Sequence, residues 1–170
     1  MNSLHFKAGF AIYIIVLWLG VSAAYASQDA PTLSISDLQQ LAKTAKHNNM
    51  PILILFSIEG CEFCEFVVSE YLQPMRVIEE DRKRILIGEI SIEDYNYVRD
   101  FNGQIISADK LGMRYAADFS PTVVFIDAQG NELAERIVGF IGRDYYDLAL
   151  GKAIQQSIDQ LTHNSLSLKN

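Results

Sequence analysis

Cysteine is scarce in this chain of 170 residues: Cys61 and Cys64 are the only two. A secreted scaffold held together by disulfides carries more of them, spread along the sequence. Two cysteines separated by two residues close a loop too small to staple a fold, so their value is chemical. Positive charge is also scarce, with 14 Lys and Arg against 21 Asp and Glu and a net charge of −7. That balance, without a basic stripe, argues against nucleic acid as a partner. Ordinary solubility accounts for the acidity. Histidine is rarer still: past residue 26 only His47 and His163 remain, far apart in the sequence. A zinc site built on a Cys-x-x-Cys pair needs two further ligands, so no metal is expected, and nothing calls for another cofactor. No internal repeat, low-complexity tract or second domain is visible, and the length suits one domain with a real core. No dimerisation segment stands out either, so a monomer is expected.

What is present is organised around Pro51 to Cys64. Ile52 to Phe56 is an unbroken apolar run, as in a strand covered on both faces. Gly60 breaks the run just before Cys61, and Phe63, Phe66, Val67 and Tyr71 then recur at helical spacing. Cys61 therefore stands where a strand hands over to a helix. Free backbone N–H groups and the helix dipole favour a thiolate there. A strand feeding a helix through Cys-x-x-Cys, inside an α/β pattern, reads as a redox dithiol.

The rest of the chain follows in order. Residues 1–26 read as a secretory signal peptide: Lys7, an apolar stretch from Phe10 to Ala24, and a small-x-small site at Ala24-Tyr25-Ala26. Loss of Lys7 with it would leave the remainder at about −8. The alternative is an uncleaved membrane anchor, although the run is short for a span. Export, to the periplasm in this reading, puts the pair in an oxidising compartment. Residues 27–33 are a lead-in, 34–162 the domain and 163–170 a polar tail. Ser36 is expected to cap a first helix, with Gln39 in the capping-box position and Leu38, Leu41, Ala42 and Ala45 on its apolar face. The helix at the cysteines is expected to run to about Arg82, with Pro74 kinking or interrupting it. A second strand follows over Ile85 to Ile92, then a mixed aromatic stretch with a turn placing Gly103 at positive φ. Ser107 is expected to cap a helix from Ala108 to Ala117. Val123 to Ile126 reads as a third strand, residues 127–131 as a hairpin turn, and Glu132 to Val138 as a fourth strand nearer an edge. An amphipathic helix from Arg143 to about Leu161 closes the domain.

This order resembles the thioredoxin superfamily over roughly Ser34 to Leu161. Three stretches carry the resemblance: Leu55 to Cys64, Ser120-Pro121-Thr122 before an apolar strand, and Asp127 to Glu132. The Gly-Cys-x-x-Cys motif, with extra chain from Glu93 to Asp118, is most similar to exported thioredoxin-like proteins found beside sulfur-oxidation systems and to related reductases. The resemblance implies a thioredoxin-like α/β fold: a central mixed sheet of about four to five strands flanked by helices. It implies that Pro121 is cis and that Ser120 aligns substrate backbone beside Cys61. The chain also departs from the family. Gly60 stands where thioredoxins proper carry Trp, and Glu62-Phe63 where they carry Gly-Pro. Leu55 stands where they keep a buried Asp, with Glu59 or a water as its substitute.

The expected chemistry is thiol–disulfide exchange. Cys61 attacks a substrate disulfide and Cys64 resolves the mixed disulfide. Glu62 lies between the cysteines, with Glu59 and Glu65 on either side. Negative charge disfavours the thiolate, which lowers the potential and favours a reductase over an oxidant. The expected partners are disulfide-containing substrate proteins and a membrane electron donor. A disulfide oxidase or isomerase, or a binding or chaperone module without turnover, are the alternatives. Phe63 is expected to be partly exposed for binding. Phe56, Phe66, Phe119 and Phe125 read as core, and Tyr95, Tyr97 and Phe101 as a lid, a satellite core or a partner surface.

Overall fold

A computed structural model describes residues 33–167, so the leader expected at 1–26 lies outside the described residues. The first helix, α1, spans Leu38–Asn48. Its N-cap is Asp37 and not Ser36: the Asp37 carboxylate accepts the Gln40 N–H at 2.8 Å. Ser36 is used elsewhere, its carbonyl accepting the Arg99 N–H at 2.8 Å. Leu38, Ala42 and Ala45 recur at i, i+4 and i+7 and are buried, which is why this stretch packs as a helix.

Strand β1 spans Ile52–Ser57 and is buried throughout. It pairs in parallel with β2 (Leu86–Ser91) and antiparallel with β5 (Thr122–Ile126). Two-residue β6 (Ile137–Val138) completes a four-stranded mixed sheet in the order β2-β1-β5-β6. The uninterrupted apolar run of β1 follows from its central place, because alternate side chains enter different cores. Leu53 and Leu55 meet Val67, Leu72, Phe125 and Tyr146. Ile52, Ile54 and Phe56 meet Leu38, Leu111 and Tyr115.

The segment after the cysteines is interrupted, as one of the two expectations for Pro74 had it, but the break is not at the proline itself. It runs as α2 (Glu62–Val67), a π-helical turn (Val68–Leu72), α3 (Gln73–Val77) and α4 (Glu79–Arg82). The Gln73 N–H reaches the Val68 carbonyl five residues back. This shift of register comes just before Pro74 and puts the ring in the first turn of a new segment, where its missing N–H costs nothing. The real break lies at Ile78, whose ψ of 119° is extended.

Four further expectations change. The aromatic stretch holds an extra hairpin, β3 (Tyr97–Arg99) with β4 (Ile105–Ser107), closed by a turn with Gly103 at φ +85°. Helix α5 stops at Arg114, and Ser107 occupies its N-cap without a side-chain capping bond. The fourth strand shrinks to β6, preceded by a single bridge between Glu132 and Ile126. The last helix, α6, runs Arg143–Ser167, through most of the expected polar tail. Among the described residues no helix is long and apolar enough to cross a membrane.

Candidate active site

Cys61 is the N-cap of α2, at the end of the loop that leaves β1. Gly60, at φ +69°, makes the tight entry to the helix. Cys61 and Cys64 are joined by a disulfide, with Cα atoms 5.2 Å apart. The Cys61 Sγ accepts the Cys64 N–H at 3.1 Å. Burial is unequal: Cys64 is 2% exposed, whereas Cys61 is partly accessible. One sulfur is thus reachable from outside and the other held behind it, an asymmetry compatible with thiol–disulfide exchange.

Glu62 and Glu65 lie exposed in the first turn of α2. Beside the disulfide runs a groove of about 420 Å³ that includes Cys61, Cys64, Glu59, Glu65, Glu89 and Tyr95 in its lining. Glu59, the expected substitute for a buried Asp, is exposed and engaged elsewhere. Its Oε2 accepts the Tyr95 hydroxyl at 3.0 Å, and its N–H donates to Glu93 Oε1 at 2.8 Å. The Glu59 carboxylate raises the Tyr95 hydroxyl above the ordinary tyrosine range, chiefly by accepting its hydrogen bond. Tyr95 thus forms one wall of the groove, while Phe101 packs into the core and Tyr97 stays exposed.

Outside the lining of this groove lies a set of exposed aromatic rings. Phe63 is 59% exposed and stacks on Phe140 with ring centroids 5.7 Å apart. Phe119, expected in the core, is 62% exposed. It precedes Ser120–Pro121 and lies against Gly139, where an added Cβ would stand 3.4 Å from its ring. The Ser120–Pro121 peptide is cis, and the Pro121 carbonyl accepts the Gly139 N–H at 2.7 Å. Thr122 pairs with Phe56, so the proline loop and the cysteine loop leave the same end of the sheet. The Ser120 hydroxyl is buried without a hydrogen-bond partner, which leaves its backbone as the part able to meet a substrate.

Among the described residues no group of His, Cys, Asp and Glu could hold a metal. The arrangement is suited to exchange between sulfurs. A family described as a thioredoxin-like domain matches residues 38–154. The chain belongs to the thioredoxin-like domain family.

Solved structures agree on the thioredoxin-like fold. The chain is similar to an oxidoreductase named DsbH, with 20% identity over 74% of this chain and 87% of that one and a TM-score of 0.52. It is similar to thioredoxin f from spinach chloroplast, with 13% identity over 75% and 88% and a TM-score of 0.50. A periplasmic thioredoxin, SoxS from Paracoccus pantotrophus, matches at 19% identity over 63% and 98%, with a TM-score of 0.42. The likeness to the first two concerns the fold alone, and nothing rests on the third. No curated protein matches the chain.

Within this thioredoxin-like frame, sequence reasoning overlooked Glu89 and Phe140. Glu89 carried a signal, since a carboxylate interrupts the apolar residues of β2 in a strand paired with the buried centre of the sheet. Phe140 had none, because only the fold brings its ring to Phe63.

Proposed function

We propose that this thioredoxin-like protein is an exported thiol–disulfide oxidoreductase that reduces protein disulfides. The observation that carries this reading is the Cys61–Cys64 disulfide at a helix N-terminus, one sulfur accessible and the other buried. In the dithiol form, the Cys61 thiolate attacks one sulfur of a substrate disulfide. The substrate bond breaks, its other sulfur leaves with the electron pair and takes up a proton, and a mixed disulfide forms. Cys64 then attacks the Cys61 Sγ, gives up its proton, and releases the second substrate sulfur as a thiolate. The protein ends as the Cys61–Cys64 disulfide, oxidised by two electrons, and the substrate ends as a dithiol. Return to the dithiol needs two electrons and two protons from another dithiol, for which a membrane-bound thiol donor is the fitting class.

The direction rests on charge. Glu62 and Glu65 in the first turn of α2, and Glu59 just before it, oppose the helix dipole and disfavour a thiolate at Cys61. A less favoured thiolate gives a more reducing couple. The exposed rings of Phe63 and Phe119 and the backbone at Ser120–Pro121 supply a surface for the substrate chain. The Gly-Cys-x-x-Cys motif and the segment 93–118 support a place among exported reductases, and the signal-like leader supports the periplasm.

The test is insulin reduction driven by dithiothreitol. The wild type should accelerate precipitation of the insulin chains, and Cys61→Ser should fall to the uncatalysed rate. If the two behave alike, the domain is a binding module without turnover.

A further inference from the structure

When Cys64 attacks the mixed disulfide it must lose its proton, and at 2% exposure it has little direct access to bulk water. A protonated thiol is a poor nucleophile, so a nearby acceptor decides how fast this step runs at neutral pH. The groove beside the disulfide contains three carboxylates, Glu59, Glu65 and Glu89. Glu59 accepts the Tyr95 hydroxyl and lies exposed on its loop. Glu65 is exposed on α2. Glu89 differs from both. It is half-buried on β2, directly across from Leu55 of β1, and alternation along the strands puts it on the face where Leu55 meets Val67 and Leu72. That is the face on which the cysteine-bearing helix packs.

Glu89 has no structural duty that explains it. Its backbone bonds to Leu33 and Ile35, but among the described residues its carboxylate has no hydrogen bond or ion pair. The side chain stands beside Leu55 at the margin of an apolar cluster, and it lines the groove that Cys64 also lines.

We propose that Glu89 is the proton acceptor for Cys64 across this groove. The inference rests on the dithiol reading above. As the Cys64 Sγ–Cys61 Sγ bond forms, the Cys64 proton passes to the Glu89 carboxylate. The Cys61–substrate S–S bond breaks, and the substrate sulfur leaves with the electron pair. The other titratable groups facing the groove are Glu59 and Tyr95 from its flanking loops and Glu65 from α2, with Glu93 behind Glu59. Its lining includes no Lys, Arg or His among the described residues.

The test follows the reaction of the reduced full chain with 5,5′-dithiobis(2-nitrobenzoate), in wild type, Glu89→Gln and Glu89→Asp, from pH 5 to 9. The first burst of thionitrobenzoate reports attack by Cys61, and the second reports its displacement by Cys64. The second phase should slow at least tenfold at pH 7 in Glu89→Gln and converge with the wild type near pH 9, where hydroxide replaces the acceptor. Glu89→Asp should recover part of the rate, and the first phase should not slow in either variant, since loss of a nearby negative charge favours the Cys61 thiolate. A second phase in Glu89→Gln equal to the wild type across this range would overturn the role of Glu89. Should that variant not fold, the wild type still decides: its second phase must hold its rate from pH 8 down to pH 6, whereas a tenfold loss per pH unit would show a thiol ionising without an acceptor. A wild type with no second phase at all would instead remove the dithiol mechanism itself.

Discussion

At the scale of single residues, charge placed beside particular atoms makes the sharpest claims. Glu62 stands between the two cysteines and is exposed. Glu62→Lys should favour the Cys61 thiolate and make the couple less reducing, by roughly 30 mV for one pKa unit at Cys61. Equilibration with glutathione checks both sign and size. Away from the site, Asp100 is 3% exposed and its carboxylate takes a two-pronged bond from Arg114, at 2.9 and 2.8 Å. The Arg114 hydrogen bonds hold the Asp100 carboxyl below the usual range. A lowered folded-state pKa gives stability that is present in full above about pH 4 and is lost as the pH falls through the folded value. Asp100→Asn should therefore cost about 2 kcal/mol at pH 7, and the gap to the wild type should narrow below about pH 4. Urea titrations at pH 7 and pH 3 test this; a gap that does not change with pH would refute it. The cysteines could be read from the sequence as the reactive pair because their spacing and the preceding glycine are local features. Phe119 could not be read, because a single aromatic near a proline gives no sign of whether it faces the core or solvent.

At the scale of elements, two local stretches explain what the sequence conveyed and what it hid. Asp127 caps its own turn, accepting from the Gln129 and Asn131 N–H groups and from Asn131 Nδ2 at 2.8 to 2.9 Å. An aspartate followed within four residues by a glycine and an asparagine is a local signal for such a turn, so this one was legible. Asp127→Ala, which strands these donors, should cost about 2–3 kcal/mol by chemical denaturation. Pro74 is the opposite case. Inside an apolar periodic run a proline signals a kink, but the π-helical turn ahead of it absorbs the missing bond, and the chain breaks at Ile78 instead. Pro74→Ala should therefore lower stability by no more than about 1 kcal/mol, the effect of a freer unfolded chain. A gain of several kcal/mol would mean that the proline strains the helix. The hairpin β3–β4 escaped notice because each strand has three residues and neither shows a clear alternation. Helix α6 ran past its expected end because residues 162–167 are polar apart from Leu166, and polarity in a last helical turn looks the same as a loose tail.

At the scale of the whole molecule, the order of elements was legible because β1 and β5 are continuous apolar runs and the active-site motif and proline loop flank them. These features suffice to specify a sheet with a core on each face. The partition of charge around Cys61 was not legible, since it depends on which strand stands beside which. The groove beside the cysteines is lined by Glu59, Glu65 and Glu89, and the stacked rings of Phe63 and Phe140 lie outside that lining. The central claim is that these surroundings make the dithiol a reductant. The equilibrium reduction potential of the Cys61–Cys64 pair, measured against a dithiothreitol buffer, tests it most directly. The account predicts a value near that of thioredoxin, about −270 mV. A value near that of the strong oxidant DsbA, about −120 mV, would contradict it and make the protein a donor of disulfides.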